Sequence, residues 1–452
     1  MIHKFSMDGI NIVMDVDSGA VHIVDNVVYE IVDDFKELSE KEIFEKYHNK
    51  FSEEEIKEAI EEIKELEKEE MLFTEDDYEF VLPKVTNRNP VVKALCLHVA
   101  HDCNLKCKYC FAEEGEYHGK RSLMSAEVGK AAIDFIIKNS GARKNLEIDF
   151  FGGEPLMNFD VVKEIVEYGR EQEKLHNKNF RFTITTNGIL LDDEKMEYIN
   201  KHMHNVVLSL DGRKEVNDNM RPKAGGQGSY ETIVPKFQKL ADSRNQTDYF
   251  VRGTFTKHNL DFAKDVMHLV DLGFKQISVE PVVAEDEMDY AITEKDIPVI
   301  YDEYENLAKL IHKSRQEGKW FNFFHFNIDL KGGPCVVKRL AGCGSGTEYL
   351  AVTPEGDLYP CHQFVGKEEF KMGTVYEGVK DEKRREEFEG CNVYSKPDCK
   401  VCWAKFYCSG GCAANAYQYG GSILSQYKTG CELQKKRIEC AIYLKAKEAL
   451  SE

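Results

Sequence analysis

Short apolar runs rich in β-branched and aromatic residues alternate with longer helical segments across residues 93–317. The helical segments include 125–137 and 160–172. Strands that alternate with helices predict an α/β fold, in which a parallel sheet with helices outside curls into a full or partial (β/α)6 barrel of the TIM type. The predicted strands are 94–100, 146–151, 180–186, 206–210, 250–255 and 276–282.

Residues 1–75 have a different pattern, in which short strands come before helices. Three strands followed by three helices predict a winged-helix-like module. Residues 76–92, which contain Pro83 and Pro90, are predicted to form a linker to the barrel. The strands of the module are predicted at 2–6, 11–16 and 21–24, and its helices at 26–35, 39–48 and 52–71.

The C-terminal part of the chain has short regular elements and many cysteines. Residues 318–342 are predicted to form a bridge that is rich in aromatic side chains. Residues 343–452 are predicted to form a cysteine-rich domain, because clustered cysteines among short elements are typical of modules that a metal holds together.

Composition narrows the class of protein. The 452 residues include 60 Lys and Arg against 80 Asp and Glu, and the net charge of −20 argues against a nucleic-acid partner. No apolar run reaches the roughly 18 residues of a membrane span, and the first residues do not form a secretory signal. We therefore expect a cytoplasmic protein whose fourteen cysteines bind metal rather than form disulfides.

The segment after the first barrel strand, H-D-C-N-L-K-C-K-Y-C-F, places Cys103, Cys107 and Cys110 in a C-x3-C-x2-C pattern. Three thiolates can hold three irons of a [4Fe–4S] cube and leave one iron open to a ligand that is not protein. A zinc knuckle is the alternative, although zinc prefers four closed ligands. With Tyr109 before its last cysteine, the pattern resembles the radical S-adenosylmethionine (SAM) superfamily. The resemblance implies that SAM binds the open iron and yields a 5′-deoxyadenosyl radical.

The same resemblance implies SAM-binding residues at the carboxyl ends of later strands, where barrels place their chemistry. Gly152 and Gly153 allow a close approach of the backbone, and the carboxylate of Glu154 suits the amino group of SAM. Three polar side chains, at the third, fourth and fifth strands, would contact the ribose and carboxylate of SAM: Asn187, Ser209 and Arg252. For Asn187 and Ser209, an ordinary turn or helix cap is the alternative.

Seven further cysteines form an ordered series: Cys343, Cys361, Cys399, Cys402, Cys408, Cys412 and Cys431. This series resembles the SPASM domain, which holds two auxiliary [4Fe–4S] clusters. The resemblance thus implies three clusters in the chain. Zinc ribbons also use C-x2-C pairs, but they seldom use seven ordered cysteines. By the family pattern, the cluster nearer to SAM (the near cluster) is bound by Cys343, Cys361 and Cys412, and the distal cluster by Cys399, Cys402, Cys408 and Cys431.

Cys335 leaves the near cluster ambiguous. It lies eight positions before Cys343, and some family members use an upstream cysteine as a fourth ligand. If Cys335 binds, the near cluster is closed; if it does not, the open iron could bind a substrate thiolate. Cys96, Cys391 and Cys440 fit no motif and are expected to be free thiols.

The whole chain is similar to thioether-forming peptide maturases, and most similar to the SCIFF maturases, which act on peptides with six cysteines in forty-five residues. The stretch over 342–366 carries much of this likeness. The first module resembles a peptide-recognition element, which binds a leader peptide as an added strand. The resemblance implies a bond from a cysteine sulfur to a carbon of an acceptor residue, often threonine, in a cysteine-rich precursor peptide. A small redox protein is the expected electron donor.

Two other functions stay open. Anaerobic sulfatase maturases share the barrel and the SPASM domain, but they carry an aspartate base where this chain has His362, and they lack a leader-binding module. A non-catalytic iron–sulfur electron carrier or redox sensor would explain the clusters but not Glu154, Arg252 and an open iron. For residues 1–75, a dimerisation module is the alternative.

Overall fold

A computed structural model describes residues 1–86, 91–117, 119–330 and 336–451. Within these ranges, no helix is both long enough and apolar enough to span a membrane. The strands are β1 Ile2–Met7, β2 Ile10–Asp15, β3 Val21–Val24, β4 Ala94–His101, β5 Ser122–Leu123, β6 Asn145–Gly152, β7 Asn179–Thr186, β8 Asn205–Ser209, β9 Tyr249–Phe255, β10 Gln276–Pro281, β11 Asn322–Phe323, β12 Tyr349–Val352, β13 Asp357–Tyr359, β14 Gly373–Thr374 and β15 Gly378–Val379. The helices are α1 Asn26–Ile31, α2 Glu40–Tyr47, α3 Glu53–Lys68, α4 Tyr78–Thr86, α5 Ala126–Asn139, α6 Phe159–His176, α7 Asp193–His202, α8 Lys214–Met220, α9 Tyr230–Ser243, α10 Phe262–Asp271, α11 Ile297–Gln316, α12 Val336–Ala341, α13 Glu382–Glu389, α14 Pro397–Lys400, α15 Lys405–Cys408, α16 Ala413–Gly420 and α17 Lys428–Ala449.

Six parallel strands form the centre of the fold, in the order β10-β9-β8-β7-β6-β4. Strand β4 is buried at all eight positions, as expected for a parallel strand that is covered on both faces. The predicted α/β fold with a parallel sheet is confirmed. In the described part of the chain the sheet has open ends at β11 and β15, so the barrel is partial.

The cysteine-rich region adds strands to the same sheet. Strand β12 pairs in parallel with β4, on the side opposite to β6, and β13 returns antiparallel to β12. This extension was not predicted, because four apolar residues, Y-L-A-V, give no local sign of a partner some 250 positions earlier in the chain. Since β13 ends two residues before Cys361, the extension carries this cysteine to the edge of the barrel.

The first three strands form an antiparallel sheet of their own, in the order β1-β2-β3. Alternate residues of β2 point to opposite faces. Val13 packs against the helices of the module, whereas Ile12 and Met14 join the main core of the protein. In the described residues β1 and β3 each pair only with β2, so the outer edge of β3 remains unpaired, as does that of β1.

Residues predicted as a linker include a helix, α4, whose first turn lies beside the cysteine-rich region. Residues 87–90 of the predicted linker lie outside the described residues. The predicted domain boundaries at 75, 92, 317 and 342 remain predictions.

Lys405, between two cysteines of the predicted distal set, ties the first module to the cysteine-rich region. Its side chain is 3% exposed, and its ammonium lies 3.0 Å from a carboxylate oxygen of Asp17 and 2.7 Å from one of Asp76. Nearby, the rings of His3 and Trp403 stack with centroids 3.6 Å apart. Loss of either carboxylate or of the lysine would leave a charge buried and unpaired, so these ion pairs specify the junction.

Replacement of Lys405 by Met should destabilise the protein, because two carboxylates would lose their buried partner. We expect the free energy of unfolding to fall by on the order of 3 kcal/mol, measured by urea unfolding of the full chain. The control is Lys400→Met, which removes a half-exposed pair with Glu79 and should cost less than about 1 kcal/mol. Equal losses in the two variants would contradict the role of Lys405.

Candidate active site and metal centres

A cavity of about 300 Å³ lies at the carboxyl ends of the parallel strands. All of the residues predicted to bind the first cluster and SAM lie on its wall. They are Cys103, Cys107, Tyr109, Cys110, Gly152, Gly153, Glu154, Asn187, Ser209 and Arg252. The structure therefore brings together side chains that are up to 149 positions apart in the sequence (Cys103 to Arg252).

The cysteine loop follows β4, and its backbone amides at positions 106 and 108 donate to the carbonyls of Pro222 and Met220. Burial and the neighbouring thiols raise the pKa of Cys103 to about 12. The side-chain amide of Asn187 donates to the sulfur of Cys103 at 3.7 Å. An N–H donor at a cysteine sulfur stabilises the thiolate, which is the form that binds iron.

The two glycines after β6 are required by a contact inside the protein. A Cβ atom at Gly153 would lie 2.1 Å from the carbonyl oxygen of Asp102, and one at Gly152 would lie 2.3 Å from that of Ala100. Gly152 also has a φ of 125°, which other residues rarely adopt. The two glycines were predicted to let the backbone approach a bound ligand. In the structure, the space beside them is occupied by the backbone that leads into the cysteine loop. Both glycines nevertheless border the cavity.

Glu154 is fully buried, and three hydrogen bonds fix its carboxylate. One oxygen accepts from Leu156 N at 3.0 Å and from Thr186 Oγ1 at 2.8 Å, and the other accepts from Asn187 N at 2.7 Å. Burial raises the pKa of Glu154, and these hydrogen bonds oppose that rise. A carboxylate held in place and facing a cavity is suited to an ammonium group, as predicted for the amino group of SAM.

Arg221 was not predicted as a site residue. It is buried on the cavity wall, and its guanidinium donates to the hydroxyl of Tyr109 at 2.8 Å. That hydroxyl in turn donates to both oxygens of Asp211, at 2.8 and 2.7 Å. The aromatic residue of the cysteine motif is thus held by its hydroxyl group. An arginine soon after S-L-D-G is the only local signal in the sequence, and it is too weak to have identified Arg221.

Ser209 and Arg252 lie side by side on β8 and β9 and border the cavity. The guanidinium of Arg252 donates to Glu280 at 3.0 Å. Glu280 raises the pKa of Arg252, and the nearby Arg252 and His325 help to hold the pKa of Glu280 at about 2 in spite of its burial. Arg252 therefore already has a carboxylate partner, but its five N–H groups leave donors for a second one.

The four cysteines of the predicted distal set surround one hollow of about 720 Å³. Burial, with the neighbouring thiols, raises the pKa of Cys408 to about 11 and that of Cys431 to about 12. Cys399 lies in α14, Cys408 ends α15, and Cys431 lies in the first turn of α17. Three short or terminal helical segments thus present their thiols to a common space.

The three cysteines of the predicted near set lie close enough for their thiols to affect one another. Burial raises the pKa of Cys361, and the thiols of Cys412 and Cys343 contribute to the rise. A hollow of about 350 Å³ is bordered by Cys343 and by Cys391, a cysteine that fitted no motif. Cys335 lies outside the described residues.

Zinc ions and iron–sulfur clusters differ in the space that they need between thiol ligands. The thirteen described cysteines are free thiols. Over the same residues, no three Cys, His, Asp or Glu side chains are arranged to hold one ion. Zinc needs sulfur ligands at about 2.3 Å from its centre, whereas the cysteines of a cube stand around a larger body. The assignment of individual ligands stays a prediction.

Comparisons with known proteins identify the barrel. Residues 97–261 match the model of the Radical SAM superfamily. The radical SAM cyclopropyl synthase TigE of Paramaledivibacter caminithermalis is 24% identical over 369 residues, which cover 76% of this chain and 72% of TigE. A cysteine-type anaerobic sulfatase-maturating enzyme of Clostridium novyi is 25% identical over 335 residues, which cover 70% of this chain and 86% of that enzyme.

Solved structures share the fold. Native anSMEcpe with bound AdoMet has a TM-score of 0.67 and 20% sequence identity, with 79% of this chain and 100% of that chain covered. SuiB of Streptococcus suis, bound to the precursor peptide SuiA, has a TM-score of 0.55 and 17% identity, with 92% and 94% covered. The matched region and the cavity at its strand ends define a radical SAM domain. Over residues 97–261 the chain is similar to the Radical SAM superfamily, as its cysteine spacing predicted, whereas the SPASM type of the C-terminal region stays a prediction.

Replacement of Gly153 by Ala should displace the backbone before the cysteine loop, because the new methyl group would overlap the Asp102 carbonyl. We expect SAM cleavage to fall at least about tenfold, measured as 5′-deoxyadenosine released by the reduced enzyme. The control is Gly390→Ala, where the nearest atom would be 3.4 Å away. Wild-type cleavage by the Gly153 variant would show that the close approach is not needed.

Proposed function

We propose that this enzyme forms a thioether bond between a cysteine sulfur and a carbon of an acceptor residue, threonine, in a cysteine-rich precursor peptide of the SCIFF type. One observation carries the proposal. The cavity that contains the predicted SAM residues is also lined from the cysteine-rich region by His362, Gln363, Asn415 and Gln418. A peptide residue in this cavity would lie between the SAM site and the near set of thiols.

When bound, SAM and its cluster supply a 5′-deoxyadenosyl radical, which can take a hydrogen atom from a substrate carbon. The residues of the chain bind and orient the reactants. Glu154 is suited to the amino group of SAM, and Arg252 to its carboxylate. The apolar wall, which includes Phe151 and Val282, excludes water from the reacting carbon.

We infer that a substrate cysteine binds at the near set, for which three thiol ligands of this chain are predicted. Cys361 is buried, and the next residue, His362, lies on the cavity wall, so this set is adjacent to the space where the peptide would lie. Thiolates are preferred ligands of such iron. Cys335 is the competing fourth ligand.

We further infer that three [4Fe–4S] clusters are present and that a small redox protein supplies electrons. Three clusters are supported by the first set and the distal set, which each line one hollow, and by Cys343 of the near set, which borders another. The thiol sets do not identify the protein that donates the electrons.

The first module is proposed to bind the leader of the precursor peptide. The unpaired edge of β3 is available for an added strand, in which main-chain hydrogen bonds supply most of the affinity. SuiB, whose structure was solved with its precursor peptide, resembles 92% of the present chain. This share is large enough to include part of residues 1–75.

Sulfatase maturation is the second candidate, because a sulfatase-maturating enzyme is among the relatives. His362 stands where that family carries its aspartate base. Its ring nitrogen Nδ1 lies 3.2 Å from the hydroxyl of Tyr349, and burial lowers its pKa to about 4. A neutral imidazole in a fixed hydrogen bond differs from a carboxylate base, and this favours the thioether reaction.

The reaction itself is tested with the full chain, SAM, a reductant and a precursor peptide. The product should weigh two hydrogens less than the peptide, and one cysteine should resist alkylation, both measured by mass spectrometry. A peptide that lacks the acceptor residue serves as the control and should stay unmodified. Loss of two hydrogens with every cysteine still alkylated would contradict a thioether.

Metal content gives an independent test. We expect about twelve irons per chain after anaerobic reconstitution, four for each cube. Alanine at Cys103, Cys107 and Cys110 should remove about four irons and abolish SAM cleavage. Alanine at Cys440, a buried thiol outside the three sets, should remove none. Zinc in place of iron in anaerobically purified protein would overturn the cluster assignment.

A further inference from the structure

Two lysines are buried among the described residues, Lys396 and Lys405. They differ in their partners. Lys405 has two carboxylates within ion-pair distance, whereas Lys396, 2% exposed, has none in the described part of the chain. The ammonium of Lys396 donates to the carbonyl oxygen of Gly410 at 2.8 Å. An ammonium without an anion is costly to bury, so a negative charge is expected beside it.

Lys396 lies beside segments that carry predicted ligands of both sets. Its backbone carbonyl accepts a hydrogen bond from Cys399 N of the distal set at 3.0 Å. The bond from its ammonium to Gly410 places it beside the segment that leads to Cys412 of the near set. Lys396 also borders the same hollow as Cys343 of the near set. It therefore lies between the two sets.

The local structure holds the lysine in this position. Lys396 directly precedes α14, and Pro397 fixes the first turn of that helix. Gly410, the acceptor, lies two residues before Cys412. The ammonium is thus fixed from both sides by segments that carry predicted ligands.

We propose that Lys396 is the shared counter-charge of the two auxiliary clusters and raises the reduction potential of both, the near cluster most. This inference rests on the proposed function, because it requires both clusters. Reduction adds a negative charge to a cluster, and a fixed positive charge nearby stabilises the reduced form. A cluster made easier to reduce is suited to accept the electron left over when a thiol and a carbon–hydrogen bond become a thioether.

The distal set provides a contrast. Lys435 lies near Cys402 and Cys431, but it pairs with Glu432 at 2.8 Å and is 31% exposed. Its charge is therefore largely neutralised and screened by water. Lys435 is the matched control for Lys396, since it is the same residue type beside the distal set but has a carboxylate partner.

The test is a redox titration of the full reconstituted chain followed by electron paramagnetic resonance, in a background where Cys103, Cys107 and Cys110 are alanine. In Lys396→Met, the reduction equilibrium of the near cluster should become at least tenfold less favourable, equal to about 59 mV for one electron. The distal cluster should shift in the same direction by less. Lys396→Arg, which keeps the charge, and Lys435→Met should each stay within a threefold change.

The outcomes separate the two proposals. If the starting protein contains no near cluster, both the proposed function and the role of Lys396 are wrong. If both auxiliary clusters are present and Lys396→Met leaves both potentials unchanged, only the counter-charge inference is wrong. If Lys396→Arg shifts the near cluster as much as Lys396→Met does, packing rather than charge is responsible, and the inference is again overturned. A shift in Lys435→Met as large as that in Lys396→Met also overturns it.

Discussion

The position of β4 is the constraint on which the rest of the structure depends. This strand is buried along its whole length, pairs with β6 on one side and with β12 on the other, and ends where the cysteine loop begins. Parallel pairing on both sides leaves it no freedom to slide, because a shift of one residue would exchange its two faces. The loop after β4 therefore starts from a fixed point. Strand β12, which pairs with β4, in turn holds β13, the strand that leads to Cys361.

This arrangement explains how one cavity receives residues from both halves of the protein. The carboxyl ends of β6 to β9 supply polar side chains on one wall, and the segment after β13 together with helix α16 supplies the other. The close approach of Gly153 to Asp102 then sets the distance between the cysteine loop and Glu154. Backbone packing and the side-chain hydrogen bonds of Glu154 and Tyr109 thus hold the site together.

Much of this could be predicted from the sequence, and the failures have physical reasons. The six parallel strands were found within one or two residues, since each is a local apolar run. Strands β12 to β15 were missed because they are two to four residues long and depend on a distant partner. Helix α4 was missed because prolines suggested a linker. The cysteine sets could be proposed because spacing alone is specific, whereas Arg221 depends on Tyr109 and Asp211, which meet it only in the folded chain.

The two faces of the first sheet have a consequence for how such enzymes can be recombined. Ile12 and Met14 pack in the main core, whereas Val13 packs in the core of the module. Strand β2 is therefore part of two hydrophobic cores. The stack of His3 on Trp403 adds a third point of attachment. A chimera that exchanged this module for that of a related enzyme would inherit an unmatched apolar face. A new recognition specificity would therefore have to be grafted onto the exposed edge and helices, with the buried side of the sheet left as it is.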